Sequence, residues 1–151
     1  MKALLSILTA ALTTAALADC DNRPQVPRLD LTSVDGTSIE LNDSTPLTAV
    51  YFFSVSNPVA LGALYRLHEE LDDAADSVAI ALNVDRPPNV EHMQQDTLVP
   101  IVIDEAGRIA TAFGGIDLTP TLILIDKGSV LLQQRARLDY EEINTIISRY
   151  K

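Results

Sequence analysis

The spacing of apolar positions changes from segment to segment along this chain, and the first segment has the spacing of two short strands. Leu29 and Leu31 alternate with polar residues before the Asp35-Gly36 pair, and Ile39 and Leu41 alternate in the same way after it. Alternation on both sides of an Asp-Gly pair is typical of a β-hairpin. The sequence therefore predicts a hairpin near residues 29–41.

The next segment has the pattern of a buried strand followed by a helix. Residues 47–53 form an apolar, β-branched and aromatic run, as in strands that are buried on both faces. Asn57-Pro58 then offers an N-cap residue followed by proline at the first helical position. Leucines 61, 64, 67 and 71 keep the spacing of one helical face, which predicts a helix to about Asp73.

The same reading predicts the remaining elements as strands and helices in alternation, followed by a hairpin and a last helix. They are a strand at 77–84, a helix from Pro87-Pro88 to Gln94, a strand at 99–103, a helix at 108–113, a strand at 121–125, a strand at 130–133 and a helix capped by Asp139 whose Ile143, Ile146 and Ile147 face the core. This order predicts an α/β sandwich, with a central mixed β-sheet flanked by helices. Phe52, Phe53 and Phe113 are expected in its core.

The N-terminal segment predicts export. Lys2 is followed by an apolar run to Leu17, and Ala16-Leu17-Ala18 fits the small-x-small pattern of signal cleavage. The run is shorter than the roughly 20 residues of a membrane-spanning helix. We therefore expect a signal peptide at 1–18, a polar linker at 19–27 and one domain at 28–151, in the periplasm or secreted.

Cys20, the single cysteine of the chain, leaves two possibilities open. Leu17-Ala18-Asp19-Cys20 resembles a bacterial lipoprotein cleavage box, although Asp19 departs from the small residue usual before a lipidated cysteine. A lipidated Cys20 would anchor the domain to a membrane, facing the periplasm. Simple cleavage after Ala18, which we favour, would instead leave a free thiol in an oxidising compartment.

The charge of the chain disfavours polyanionic partners. Asp and Glu number 21 against 11 Lys and Arg, so few cations are available to neutralise phosphates. Nucleic acid is therefore not an expected partner, and a membrane is one only if Cys20 is lipidated. The densest acidic run, residues 69–76, is expected to be a solvated surface at the end of a helix.

A family resemblance comes from the strand that leads into Ser54-Val55-Ser56-Asn57-Pro58-Val59. This stretch resembles the Ser-Trp-Cys-x-Pro-Cys motif of thioredoxin-like redoxins, and most closely that of exported bacterial thiol–disulfide oxidoreductases. Ser54 and Pro58 match the motif, whereas Val55 stands in place of its tryptophan and Ser56 and Val59 stand where the two reactive cysteines would be. The resemblance implies a thioredoxin-like fold whose redox pair is missing.

Two further motifs carry the same resemblance over residues 28–150. Leu118-Thr119-Pro120-Thr121 is similar to the family's loop, in which a cis-proline lies beside the active site and the adjoining backbone pairs with a bound peptide. Asp104-Glu105-Ala106-Gly107 resembles the Asp-x-x-Gly turn before the helix that leads to this loop. The resemblance implies that Thr119-Pro120 adjoins the loop at Ser56–Pro58.

The residues left at this site offer little catalytic chemistry. Disulfide exchange needs a thiolate, and a serine nucleophile needs an adjacent base. Neither His68, about three turns along the helix, nor His92, in another helix, has a sequence reason to lie near Ser56. The two histidines and Cys20 have no recognised metal-ligand spacing, so neither a metal nor another cofactor is expected.

Three hypotheses remain open for function. The first is an exported thioredoxin-like domain that has lost thiol catalysis and binds a protein or peptide in the cell envelope. The second is a thiol–disulfide oxidoreductase or peroxidase, of the alkyl hydroperoxide reductase type, acting through Cys20 or a partner's thiols. The third is a structural subunit of an envelope complex, and the sequence leaves the oligomeric state open.

Overall fold

The computed structural model describes residues 23–82 and 90–151. The predicted signal peptide, Cys20 and the Pro87-Pro88 pair lie outside these ranges, so the predictions made for them stay predictions. Seven strands and four α-helices are described. They are β1 (Leu29–Thr32), β2 (Ser38–Leu41), β3 (Thr48–Ser54), α1 (Pro58–Leu71), β4 (Asp76–Leu82), α2 (Val90–Thr97), β5 (Ile101–Ile103), α3 (Arg108–Ala112), β6 (Thr121–Asp126), β7 (Ser129–Arg135) and α4 (Tyr140–Ile147).

The central sheet has five strands in the order β5-β4-β3-β6-β7. The strand β3 pairs parallel with β4 and antiparallel with β6, which in turn pairs antiparallel with β7. Strand direction is therefore mixed, as the alternating pattern and the terminal hairpin predict. The predicted α/β sandwich is confirmed.

The N-terminal hairpin is also confirmed, with β1 and β2 antiparallel in a two-stranded sheet of their own. Its turn needs the glycine of the Asp35-Gly36 pair, because φ is +87° at Gly36. The Asp35 carboxylate accepts hydrogen bonds from the hydroxyl of Ser33 and from the backbone N–H of Thr37. The backbone N–H of Val34 donates to the carbonyl of Ile101 in β5, 2.8 Å away, and this bond ties the hairpin to the main sheet.

Side chains of the sheet alternate between two cores. On one face, Tyr51 and Phe53 of β3 pack with the buried sides of α1, α2 and α4. On the other face, Phe52 packs with the hairpin and α3, and its ring meets that of Phe113 edge to face with centroids 5.3 Å apart. The expectation that these three phenylalanines are core residues is confirmed, with Phe113 partly buried.

The first helix begins and ends close to its predicted positions. Asn57 is the N-cap and Pro58 is the first helical residue, and a 3-10 turn at Asp72–Ala74 follows the helix. The fully buried stripe consists of Ala60, Leu64, Leu67 and Leu71. Leu61, predicted on that stripe, is only partly buried, because it lies one position, or about 100°, away from Ala60.

Other boundaries differ from prediction by a few residues. The helix predicted to end at Gln94 continues to Thr97, and the strand predicted at 130–133 extends from Ser129 to Arg135. Asp139 caps α4 as predicted, and its carboxylate accepts from the backbone N–H groups of Glu141 and Glu142. Of the three isoleucines expected in the core, Ile143 and Ile147 are buried and Ile146 is partly buried.

Candidate functional site

The loop between β3 and α1 carries the residues that replace the two cysteines. The backbone N–H of Asn57 donates to the carbonyl of Ser54 at 3.0 Å, which closes a turn around Val55 and Ser56. The Asn57 side chain then accepts from the backbone N–H of Val59 at 3.1 Å and begins the helix. Ser56 therefore lies one residue before the N-cap, with its side chain exposed.

Val59, at the position of the second sulfur, points to solvent. Its exposed fraction is 74%, an unusual value for a β-branched apolar residue. The cause is local, because Val59 precedes Ala60 in the buried stripe of α1 by one residue and so lies about 100° from that stripe. The helical spacing of the sequence is therefore enough to predict that Val59 lies outside the buried stripe of α1.

A buried hydroxyl joins β3 to the first turn of α1. The Tyr51 hydroxyl donates to the carbonyl of Ala60 at 2.9 Å. Burial raises the pKa of Tyr51 well above its usual range, with a smaller contribution from Tyr140. Tyr51 therefore stays a neutral donor and fixes the beginning of α1 relative to the sheet.

The second loop of the site precedes β6. The peptide bond between Thr119 and Pro120 is cis, as the family resemblance implies. The Pro120 carbonyl accepts from the backbone N–H of Ala136 at 2.7 Å, and the Thr121 hydroxyl donates to the carbonyl of Leu118 at 2.6 Å. No residue in the described ranges makes a hydrogen bond to the backbone of Thr119.

Strand register brings the two loops to one end of the sheet. Phe52 of β3 pairs with Thr121 of β6 in an antiparallel ladder, so β3 ends where β6 begins. The loop at Ser56–Pro58 and the loop at Thr119-Pro120 therefore leave the sheet side by side. Leu118, with 49% of its surface exposed, adds a second apolar side chain at this end.

The helix before the cis-proline loop is held by a buried carboxylate. Asp104 accepts from the backbone N–H groups of Ile109 and Ala110, at 2.8 and 2.9 Å. These N–H groups belong to the first turn of α3, where a carboxylate also meets a favourable helix dipole. The Asp-x-x-Gly turn of the sequence thus has a structural role, because it orients the segment that leads to Leu118.

The hydroxyl of Ser56 has no base beside it in the part of the chain that the structure describes. Its hydrogen-bond partner is the hydroxyl of Ser54, at 2.9 Å. His68 is ten residues beyond Pro58 in α1, roughly 15 Å along the helix, and it lines a cavity with Asp72 and Asp73. An alcohol without a base is a poor nucleophile at neutral pH, so the described residues give Ser56 no activating partner for covalent chemistry.

The acidic run lies away from the two loops, whereas an ion pair between Asp117 and Arg135, at 3.3 Å, lies beside the loop at Thr119-Pro120. Glu69, Asp72, Asp73 and Asp76 are exposed at the far end of α1 and at the start of β4, as expected for a solvated acidic surface.

Within residues 23–82 and 90–151, no group of three or more His, Cys, Asp or Glu side chains could hold a metal ion. Those residues also contain no helix with the length and hydrophobicity of a membrane span.

Sequence reasoning missed the outward-facing surface of this site. The motif indicates the loop of Ser56, Asn57, Pro58 and Val59, in which serine and valine replace a redox pair. The structure adds Leu118 and the backbone of Thr119, which makes no hydrogen bond to any described residue. Leu118 gave no signal, because the exposure of a loop leucine depends on the long-range pairing of β3 with β6.

The fold and the two loops define the class of protein. It is a domain of thioredoxin-like fold with serine and valine in place of the redox pair. No protein-family model and no curated protein matches the sequence. Many solved structures match the fold.

Three of these solved structures illustrate the likeness. A candidate thioredoxin from Neisseria meningitidis is 20% identical with a TM-score of 0.72, and the match covers 83% of this chain and 88% of that one. A thiol:disulfide interchange protein of the thioredoxin family from Chlorobium tepidum is 20% identical, with a TM-score of 0.68 and coverage of 85% and 96%. An exposed lipoprotein thioredoxin from Streptococcus pneumoniae is 16% identical, with a TM-score of 0.63 and coverage of 82% and 99%.

These neighbours are thioredoxin-like proteins, and their likeness confirms the fold that the sequence motifs imply. At such low identity the likeness shows the fold alone.

Proposed function

We propose that this chain is an exported thioredoxin-like domain that binds a protein or peptide in the cell envelope and performs no thiol chemistry at its former redox site. The observation that carries the proposal is the absence of sulfur at both Ser56 and Val59, while Pro58 and Pro120 of the family pattern are present. Neither residue can form a thiolate, which disulfide exchange requires. The helix cap, the cis-proline and the exposed loop surface are nevertheless all present.

The retained surface supports binding of an extended peptide. The backbone N–H and C=O of Thr119, which the described residues leave unbonded, could pair with a peptide strand, as in other strand-addition complexes. Val59 and Leu118 lie at the same end of the sheet and would contact apolar side chains of that peptide. Backbone pairing would supply affinity, and these two side chains would select the sequence.

The proposal for location rests on the N-terminal sequence. Residues 1–18 have the pattern of a cleaved signal peptide, which delivers a protein to the envelope. The pneumococcal structure with the same fold is an exposed lipoprotein, which fits the alternative that Cys20 anchors this chain to a membrane. Mass spectrometry of the mature N-terminus would distinguish a free Cys20 thiol from a lipidated one.

The first test concerns catalysis. The purified mature protein is assayed for reduction of insulin disulfides, beside its Cys20→Ser variant. We expect no turnover above the uncatalysed rate in either protein. Turnover that disappears in Cys20→Ser would overturn the proposal in favour of an oxidoreductase acting through Cys20, and turnover in both would overturn it as well.

The second test concerns the binding surface. Partners are captured from envelope extracts with the wild type, Val59→Glu, Leu118→Glu and Leu98→Glu, and are compared by quantitative mass spectrometry. Leu98 is the matched control, because it is an equally apolar residue with 77% exposure in the loop between α2 and β5. We expect one set of proteins to be lost with both site variants and retained with Leu98→Glu. Equal capture by all four proteins would contradict the assignment of this surface.

A further inference from the structure

The strand β7 ends beside the cis-proline loop of the candidate site. Arg135, its last residue, pairs with β6 in the antiparallel ladder, and the backbone N–H of the next residue, Ala136, donates to the carbonyl of Pro120 at 2.7 Å. The same register, continued by one residue, brings Arg137 beside Thr119. Two arginines therefore flank the backbone with which the proposed peptide would pair.

A backbone turn at Ala136 fixes where Arg137 begins. The φ angle is +63° at Ala136, a left-handed value that alanine adopts less readily than glycine. The backbone N–H of Arg137 donates to the carbonyl of Arg135 at 2.7 Å, which closes the turn. The backbone of Arg137 is thus held close to the cis-proline loop, while the residue itself is exposed.

The two arginines differ in the partners of their side chains. Nη1 of Arg135 lies 3.3 Å from Oδ1 of Asp117, in an ion pair beside the loop. In the ranges that the structure describes, the Arg137 guanidinium makes neither an ion pair nor a hydrogen bond. Its five N–H donors are therefore available to a ligand.

The acidic residues that follow in the first turn of α4 do not occupy Arg137. Asp139 caps the helix by accepting from its backbone N–H groups, and Glu142 accepts from the side-chain amide of Gln134 at 2.8 Å. The negative charge of Glu141, which is exposed in the same turn, is offset by the dipole of α4. Arg137 is thus left as a cation that a bound partner can neutralise.

We propose that Arg137 selects partners whose extended segment carries an Asp or Glu close to an apolar residue. This inference rests on the proposed peptide-binding function and adds the chemistry of the peptide. A strand that pairs with Thr119 passes both Leu118 and Arg137, which lie on either side of that residue. The planar guanidinium binds a carboxylate through two parallel hydrogen bonds, and an apolar residue within two positions of the acid would contact Leu118. Charges at the rim of an interface act mainly on specificity.

The test uses a phage-displayed library of random, cysteine-free dodecapeptides as the probe. Selections are run on the mature wild type and on Leu118→Glu, Arg137→Glu and Arg149→Glu, whose folding is checked by circular dichroism. Arg149 is the matched control, because it is also exposed and lies beyond the other end of α4, and its substitution changes the net charge equally. Peptides that the wild type enriches over Leu118→Glu should be rich in Asp and Glu. This preference should persist with Arg149→Glu and be lost with Arg137→Glu.

A synthetic peptide from the selection then measures the interaction directly. Fluorescence anisotropy compares the peptide with an analogue whose acidic residue is replaced by the corresponding amide, on the wild type and on Arg137→Gln. The amide should bind the wild type about two- to fivefold more weakly than the acid, as exposed ion pairs do. Arg137→Gln should bind the two peptides equally.

The negative results separate this inference from the function on which it rests. Peptides enriched over Leu118→Glu without an acidic preference, or with one that Arg137→Glu retains, would overturn the inference and leave the proposed function standing. Equal binding of the acid and the amide to the wild type would do the same. If no peptide is enriched over Leu118→Glu, the proposed function and the inference fail together.

Discussion

A cysteine placed at position 56 should test whether the helix that follows keeps its capacity to activate a thiol. The variant is Ser56→Cys in a Cys20→Ser background, so that a single thiol reports. An exposed negative charge at a helix N-terminus is stabilised by about 0.3–1 kcal/mol. At about 1.36 kcal/mol per unit, this is equivalent to about 0.2–0.7 pH unit.

The expected gain in reactivity follows from that range. A free thiol with its pKa near 8.5 is about 3% thiolate at pH 7. The helix should raise the thiolate fraction of Ser56→Cys to about 5–14%. The rate of alkylation by iodoacetamide should rise as well, but by a smaller factor, because a thiolate of lower pKa is a weaker nucleophile. The gain is limited because the Asn57 side chain already occupies the N–H of Val59. Asn57→Gly, which costs the helix only a few tenths of a kcal/mol, should free that N–H and raise the rate further.

The assay is the pH dependence of the alkylation rate, with the free cysteine of a short unstructured peptide as the control, because its thiol lies at no helix N-terminus. The midpoint of the profile should lie about 0.2–0.7 pH unit lower for Ser56→Cys than for the control. A midpoint at or above that of the control would refute the reasoning. The double variant Ser56→Cys/Val59→Cys, with both thiols at the start of α1, should gain the insulin-reducing activity that we expect the wild type to lack.

Three further predictions concern stability and pH. Gly62→Ala should stabilise the protein by about 1 kcal/mol, since Gly62 is inside α1 and a Cβ there meets nothing within 4 Å. Gly36→Ala should destabilise the protein, because φ is +87° at Gly36. Thermal melts compare the two variants with the wild type. Asp139→Ala should cost about 1 kcal/mol in urea titrations, because α4 loses its cap, whereas Asp139→Asn should cost much less. The hydrogen bond from the Ser33 hydroxyl and then one from a backbone N–H lower the pKa of Asp35 from 3.8 to about 2. This depressed pKa stabilises the folded state above pH 3.8, and the contribution disappears as pH falls through about 2. Asp35→Asn should remove this contribution to the acid dependence of stability. An NMR titration of Asp35 with a midpoint of 3.8 or higher would contradict the prediction.

Local patterns predicted the elements, because each depends on neighbours in sequence. The hairpin followed from alternating leucines around Asp35-Gly36, and the start of α1 followed from Asn57-Pro58. The prediction of the buried stripe of α1 was nearly right. The prediction failed at Leu61 because Ala60 belongs to the buried stripe, and Leu61, one position further, lies about 100° away from it.

Features that depend on long-range pairing were beyond the sequence. Nothing local indicates that Pro24–Val26 pairs with Ser129, more than 100 positions later. The exposure of Leu118 likewise depends on the antiparallel register of β3 and β6. The site was therefore predicted as a pair of loops from the family motifs, while the apolar surface that those loops present emerged only from the fold.

The hydrogen bond from Tyr51 to the Ala60 carbonyl gives this protein an internal optical probe. The chain has four tyrosines and no tryptophan, so its near-ultraviolet absorbance comes from tyrosine. Because burial keeps the Tyr51 hydroxyl protonated in the folded state, its phenolate band develops in alkaline solution only when β3 and the first turn of α1 separate. The other three tyrosines absorb in the same region, so the difference between the absorbance titrations of the wild type and of Tyr51→Phe isolates the step in which the loop that carries Ser56 and Val59 opens.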